Sequence, residues 1–71
     1  VSKRPPLNRI KAVLADKGKT NKDLMDFLDK SQATVSRWCT NDTQPSVETL
    51  YDIAEFLDVD IRELLVPTKN K

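Results

Sequence analysis

Between Thr20 and Cys39 two apolar patterns of helical period follow one another with only Asp29-Lys30-Ser31 between them. Three residues suffice to join two helices that cross steeply, and they leave little freedom in how the pair packs. Thr20 suits an N-cap, and Asp23 three residues later makes an acidic variant of the capping box. Leu24, Phe27 and Leu28 then share one face, which predicts a helix over Asn21–Leu28. Ser31 caps the next, over Gln32–Cys39, with Val35 and Trp38 turned inward.

The rest of the chain is punctuated in the same way. Glycine occurs once, at Gly18, the prolines stand at 5, 6, 45 and 67, and no stretch alternates as a half-buried strand does. Leu7, Ile10, Val13 and Leu14 predict a first helix from Leu7 to Lys17, entered through Pro5-Pro6 and closed by a left-handed Gly18. The run Thr40-Asn41-Asp42-Thr43-Gln44-Pro45 is a turn by composition. Ser46 caps a fourth helix, with Glu48 in its first turn and Val47, Leu50, Tyr51, Ile53, Ala54 and Leu57 along a wide apolar stripe. Asp60 and Glu63 open a last short helix carrying Ile61, Leu64 and Leu65, which Val66-Pro67 stops. The expected fold is all-α, a compact bundle of five helices. One domain over 7–66 is flanked by a basic arm (1–6) and a short tail (67–71).

With 71 residues, 38% of them apolar and 32% charged, the core claims most of the large side chains and leaves little for a deep substrate pocket. There is no histidine and a single cysteine, Cys39. That excludes a disulfide within the chain, a Cys/His zinc site and a histidine-based triad. No carboxylate cluster for Mg²⁺ is identifiable, and Asp52 and Glu55 read as a solvated helix face. The expectation is a non-enzymatic module with no cofactor and no small-molecule ligand. No apolar run reaches the roughly 20 residues of a membrane span, and no secretory segment is visible, so a cytosolic location is expected. The net charge of +1 hides a polarity. Residues 1–41 hold nine Lys/Arg against four acids, and residues 42–71 hold three against seven. An anionic partner on one face is one reading of this; an ordinary solvated surface is the other.

The stretch Thr20-Asn21-Lys22-Asp23-Leu24, then Ser31-Gln32-Ala33-Thr34-Val35-Ser36-Arg37-Trp38, then Gln44-Pro45-Ser46-Val47-Glu48-Thr49-Leu50, resembles the Cro/phage-repressor (Xre-like) helix-turn-helix DNA-binding domain. Leu57-Asp58-Val59-Asp60-Ile61-Arg62-Glu63-Leu64-Leu65 is similar to that family's fifth helix, so the resemblance runs from about Leu7 to Val66. It implies a lambda-repressor-like bundle with the helix-turn-helix at about 20–39 and the recognition helix at 32–39. It also implies a transcriptional regulator, most naturally a repressor, binding double-stranded DNA as a homodimer on a near-palindromic operator. Three positions depart from the family. Met25 replaces a small residue at the helix crossing, Asp29 replaces glycine in the turn, and Asp42 stands where basic residues are common. An acid at 42 would face phosphate unfavourably in the standard docking.

The chemistry of the third helix nominates readers. Glutamine pairs bidentately with adenine, arginine with guanine, and an alanine methyl meets that of thymine. Gln32, Arg37 and Ala33 offer these groups at positions where the family contacts bases. Arg37 also reads as a surface arginine paired with Asp42, and Gln32 as a helix-start residue facing water. Asn21, Lys22, Lys30, Thr34, Ser36 and Thr43 are candidate phosphate contacts, which position a domain without reading sequence. Lys3 and Arg4 form a possible groove-following arm or a loose terminus. Val59, Ile61, Leu65 and Val66 are candidate dimer contacts or plain core. Trp38 is expected to pack rather than stack on a base, and Cys39 to be unreactive for want of a partner. A rival reading from another class is a protein-interaction or antitoxin-like module built on the same bundle, motivated by the acidic second half.

Overall fold

A computed structural model describes residues 5–69. Within them lie four α-helices, α1 (Ile10–Asp16), α2 (Asn21–Leu28), α3 (Gln32–Cys39) and α4 (Val47–Leu57), followed by a 3-10 turn at Ile61–Leu64. The capping signals determine α2 and α3 as the sequence suggests. Thr20 Oγ1 accepts the Asp23 N–H at 3.2 Å, and Asp23 Oδ2 accepts the Thr20 N–H at 2.9 Å. These bonds from Thr20, backbone first, hold the Asp23 carboxyl below the ordinary aspartate value. Ser31 and Ser46 accept the N–H of Thr34 and Thr49 in the same manner.

Helix ends rely on left-handed residues. After α1, Gly18 takes φ +70°, the Lys19 N–H reaches the Leu14 carbonyl at 2.9 Å and the Gly18 N–H that of Ala15 at 3.1 Å. That is a complete Schellman cap. Asp29 (φ 56°) and Asp58 (φ 59°) do the same after α2 and α4, with the Lys30 and Val59 N–H bonded back to Met25 and Ala54.

Two helical expectations need correction. The first helix begins at Ile10 rather than Leu7. The Leu7 and Asn8 N–H groups both donate to Asn41 Oδ1 at 2.9 Å, and the Asn8 side chain accepts the Ile10 N–H at 3.1 Å. The second is the five-helix count, because the final element is a single 3-10 turn. Its chain is drawn straight by the first segment, through Arg9 N–H to Leu64 O at 2.8 Å and Val66 N–H to Leu7 O at 3.0 Å. An isolated antiparallel bridge, Asn8 with Leu65, results. Pro67 also disfavours helical backbone at Val66.

The core gathers Ile10, Val13, Leu14, Leu24, Val35, Trp38, Leu50, Ile53, Ala54, Leu57 and Leu64 from every element. Met25, which replaces a small residue in α2, packs half-buried against it. The α4 stripe is narrower than its composition suggests. Val47 and Tyr51, one turn apart, are 74% and 57% exposed, while Leu50, Ile53, Ala54 and Leu57 carry the burial. Phe27 and Phe56 stack at 4.5 Å and fasten α2 to α4, with the Lys19 ammonium 5.5 Å from the Phe56 ring. Asn8, the buried polar residue, donates to the Trp38 carbonyl at 2.9 Å and to Gln44 Oε1 at 2.7 Å. Among the described residues no buried side-chain polar atom lacks a partner.

Candidate nucleic-acid interface

The α3 helix is anchored by one edge. Val35 is fully buried and Trp38 is 6% exposed, so the opposite half of the helix must face out. At about 100° per residue, Gln32, Ser36, Ala33 and Arg37 fall on that outer half, centred opposite Val35 and Trp38. Gln32, Ala33 and Arg37 are exposed, and Ser36 is half-buried at the edge. The structure thus brings the three expected readers together on one surface. Trp38 belongs to the core, as its spacing from Val35 suggests.

The candidate phosphate contacts surround this surface unequally. Thr43 is exposed in the loop after α3, where its N–H donates to the Arg37 carbonyl at 3.3 Å. Lys30 is exposed in the turn between α2 and α3. Thr34 is half-buried, its hydroxyl sharing a hydrogen bond with Ser31 at 3.0 Å. Lys22 pairs with Asp26 at 3.3 Å across one turn of α2. Asn21 starts α2 and accepts a hydrogen bond from Cys39 Sγ at 3.5 Å, which ties the first turn of α2 to the last of α3. Lys3 and Arg4 lie outside the described residues. Of the four candidate dimer residues, Val59 and Ile61 pack on the core, Val66 is half-buried beside Leu7, and Leu65 is 42% exposed.

Two features escaped sequence reasoning. Lys11 and Cys39 line the same surface hollow, which brings a cation from α1 to the end of α3. Burial is the larger influence and pushes the Cys39 thiol up, against that charge, which keeps it protonated. The second feature is the tether of the loop after α3. Asn41 (φ 65°) holds the Leu7 and Asn8 amides, while Gln44 Nε2 reaches Asn41 Oδ1 at 3.2 Å. Only the turn-rich composition of 40–45 hinted at it.

Two short capped helices joined through Asp29-Lys30-Ser31, the second anchored by Val35 and Trp38 and offering a polar outer half, define a helix-turn-helix. Residues 10–64 match the helix-turn-helix family. The chain belongs to that family, in its Cro/phage-repressor form. A candidate DNA-binding protein from Bacteroides fragilis is 52% identical, with 84% of this chain and 97% of its own covered, at a TM-score of 0.83. A transcriptional regulator from Listeria innocua shares the helix-turn-helix fold at a TM-score of 0.73. It is 18% identical, over 94% of this chain and 65% of its own. No curated protein matches the sequence. Among the described residues no helix is long and apolar enough to cross a membrane.

Proposed function

We propose that this helix-turn-helix domain is a sequence-specific regulator of transcription that lays α3 in the major groove of duplex DNA. The observation that carries this reading is the outer half of α3, where Gln32, Ala33 and Arg37 stand exposed on a helix fixed from behind by Val35 and Trp38. Their donors, acceptor and methyl match adenine, guanine and thymine edges. With them Asn21, Lys22, Lys30, Thr34, Ser36 and Thr43 position the domain on phosphates, and the first turn of α2 adds its dipole. Membership of the helix-turn-helix family and the likeness to a DNA-binding protein at 52% identity support the assignment.

The domain spans 7–66 in this reading, Lys3 and Arg4 extend it along the duplex, and 67–71 is a tail. One short recognition helix reads too few base pairs for high specificity. The regulator therefore acts as a homodimer on half-sites about one helical turn apart, in the cytosol or nucleoid where duplex DNA is met, and its resemblance to Cro/phage-repressor domains makes it a repressor in this reading. Leu65 is the most exposed apolar candidate for the pairing surface, flanked by Val66, Ile61 and Val59. Selection from a random duplex library followed by sedimentation on the enriched site tests this. A two-fold symmetric site bound by two chains is expected; one chain per site would overturn the dimer. Absence of any enrichment would transfer the bundle to the protein-interaction reading.

A further inference from the structure

We infer that Asp42 is a positioning residue for base readout, its carboxylate biasing the guanidinium of Arg37 by charge from the Nε side, and that it sharpens sequence preference at the expense of general affinity. The inference rests on the DNA-reading assignment above. The Asp42 backbone is fixed from two sides. The Arg37 carbonyl accepts the Asp42 N–H at 2.9 Å, the Thr43 N–H at 3.3 Å and the Thr40 hydroxyl at 3.3 Å. Next in the chain, Asn41 is pinned by the Leu7 and Asn8 amides. The carboxylate therefore stands over the last turn of α3, with Oδ2 3.9 Å from Arg37 Nε. That is an ion-pair distance, longer than a hydrogen bond.

The edge of contact matters. The closest approach is at Nε, and at 3.9 Å no guanidinium N–H is committed to a hydrogen bond with the acid, so the planar fork that matches guanine O6 and N7 stays available. Both side chains are mostly exposed, 64% for Arg37 and 69% for Asp42, so the pair adds little to folding. Its effect falls on what Arg37 can do. A random duplex attracts a protein chiefly through its phosphates. There Arg37 and Asp42 together bring no net charge, and the carboxylate itself is repelled. A correctly placed guanine instead fills the Nη donors while Asp42 stays behind the fork.

The test compares wild type, Asp42→Asn, Asp42→Glu and Arg37→Ala, alone and combined. Each is measured on the duplex that the wild type selects from a random library and on a scrambled duplex of equal composition. Asp42→Asn is expected to bind the scrambled duplex about threefold tighter and the selected one about threefold weaker, so the ratio falls about tenfold. Asp42→Glu, which keeps the charge but moves it outward, leaves scrambled binding at the wild-type level. In the Arg37→Ala background Asp42→Asn no longer changes the preference at the affected base pair. Thermal melting, expected to be unchanged by Asp42→Asn because the side chain is exposed, confirms that the folds compared are equal. Equal factors on both duplexes would overturn the inference and leave the DNA assignment standing. A wild type that selects no duplex would overturn the assignment and the inference together.

Discussion

Gly18 takes a left-handed backbone with nothing within 4 Å of where a Cβ would stand, so its requirement lies in the backbone and not in space. Gly18→Ala should cost about 1 kcal/mol in chemical denaturation. Asp29 fills the equivalent place after α2 with a residue that tolerates this conformation less well. Asp29→Gly is expected to stabilise the domain by about 0.5 kcal/mol, the left-handed cost of aspartate less the added chain entropy of glycine. Asn41 differs from both, because its side chain accepts three donors, from Leu7, Asn8 and Gln44. Asn41→Gly permits the same backbone but removes the acceptor and the amide that donates to the Asn8 carbonyl at 3.2 Å, so a net loss of about 2 kcal/mol is expected in chemical denaturation. At the interface, Arg37→Ala should cost about 1–3 kcal/mol on the selected duplex and relax one base pair per half-site. Lys30→Ala should weaken all duplexes alike and reduce the salt slope by about one. These two signatures, read in one titration series, separate a reader from a positioner.

At the scale of the elements, α2 depends on a cap whose strength varies with pH. The Asp23 carboxyl is held below its ordinary value by Thr20, so the folded state binds its proton less readily than the unfolded chain does. The associated stability is fully present above the ordinary aspartate value and is lost as pH falls from there through the lower folded-state value. Thr20→Ala should cost about 1 kcal/mol through the lost cap, whereas the cost of Asp23→Asn should be largest near neutrality and narrow on acidification, as chemical denaturation at several pH values would show. A cost that grows in acid would refute that origin. The same local chemistry explains why α2 and α3 are legible in the sequence: Thr20, Asp23 and Ser31 find their partners within three residues. The start of α1 is not, because the acceptor that holds Leu7 and Asn8 out of the helix is Asn41, 33 or 34 residues away. Leu65 likewise reads as helical by its spacing from Ile61, yet a bridge to Asn8 extends it. Helical period alone also assigned Val47 and Tyr51 to the α4 stripe, although the core closes at Leu50 and leaves both exposed. For the candidate site, the outer half of α3 follows from period and from Val35 and Trp38. The approach of Lys11 to Cys39 is tertiary and left no trace in spacing.

For the whole molecule, the polarity of charge takes on a physical sense. The basic part of the sequence, residues 1–41, contains α1, α2 and α3, whereas the acidic part contains α4 and the final turn. A domain so divided approaches a duplex with its helix-turn-helix leading, and its affinity must fall as salt rises. The central claim is that the outer half of α3 reads sequence. The most direct measurement is selection from one random duplex library run in parallel with wild type and Arg37→Ala. The wild type is expected to select a symmetric site, and the variant the same site with one position in each half no longer specified. No enrichment by the wild type, or identical sites from both proteins, would contradict it.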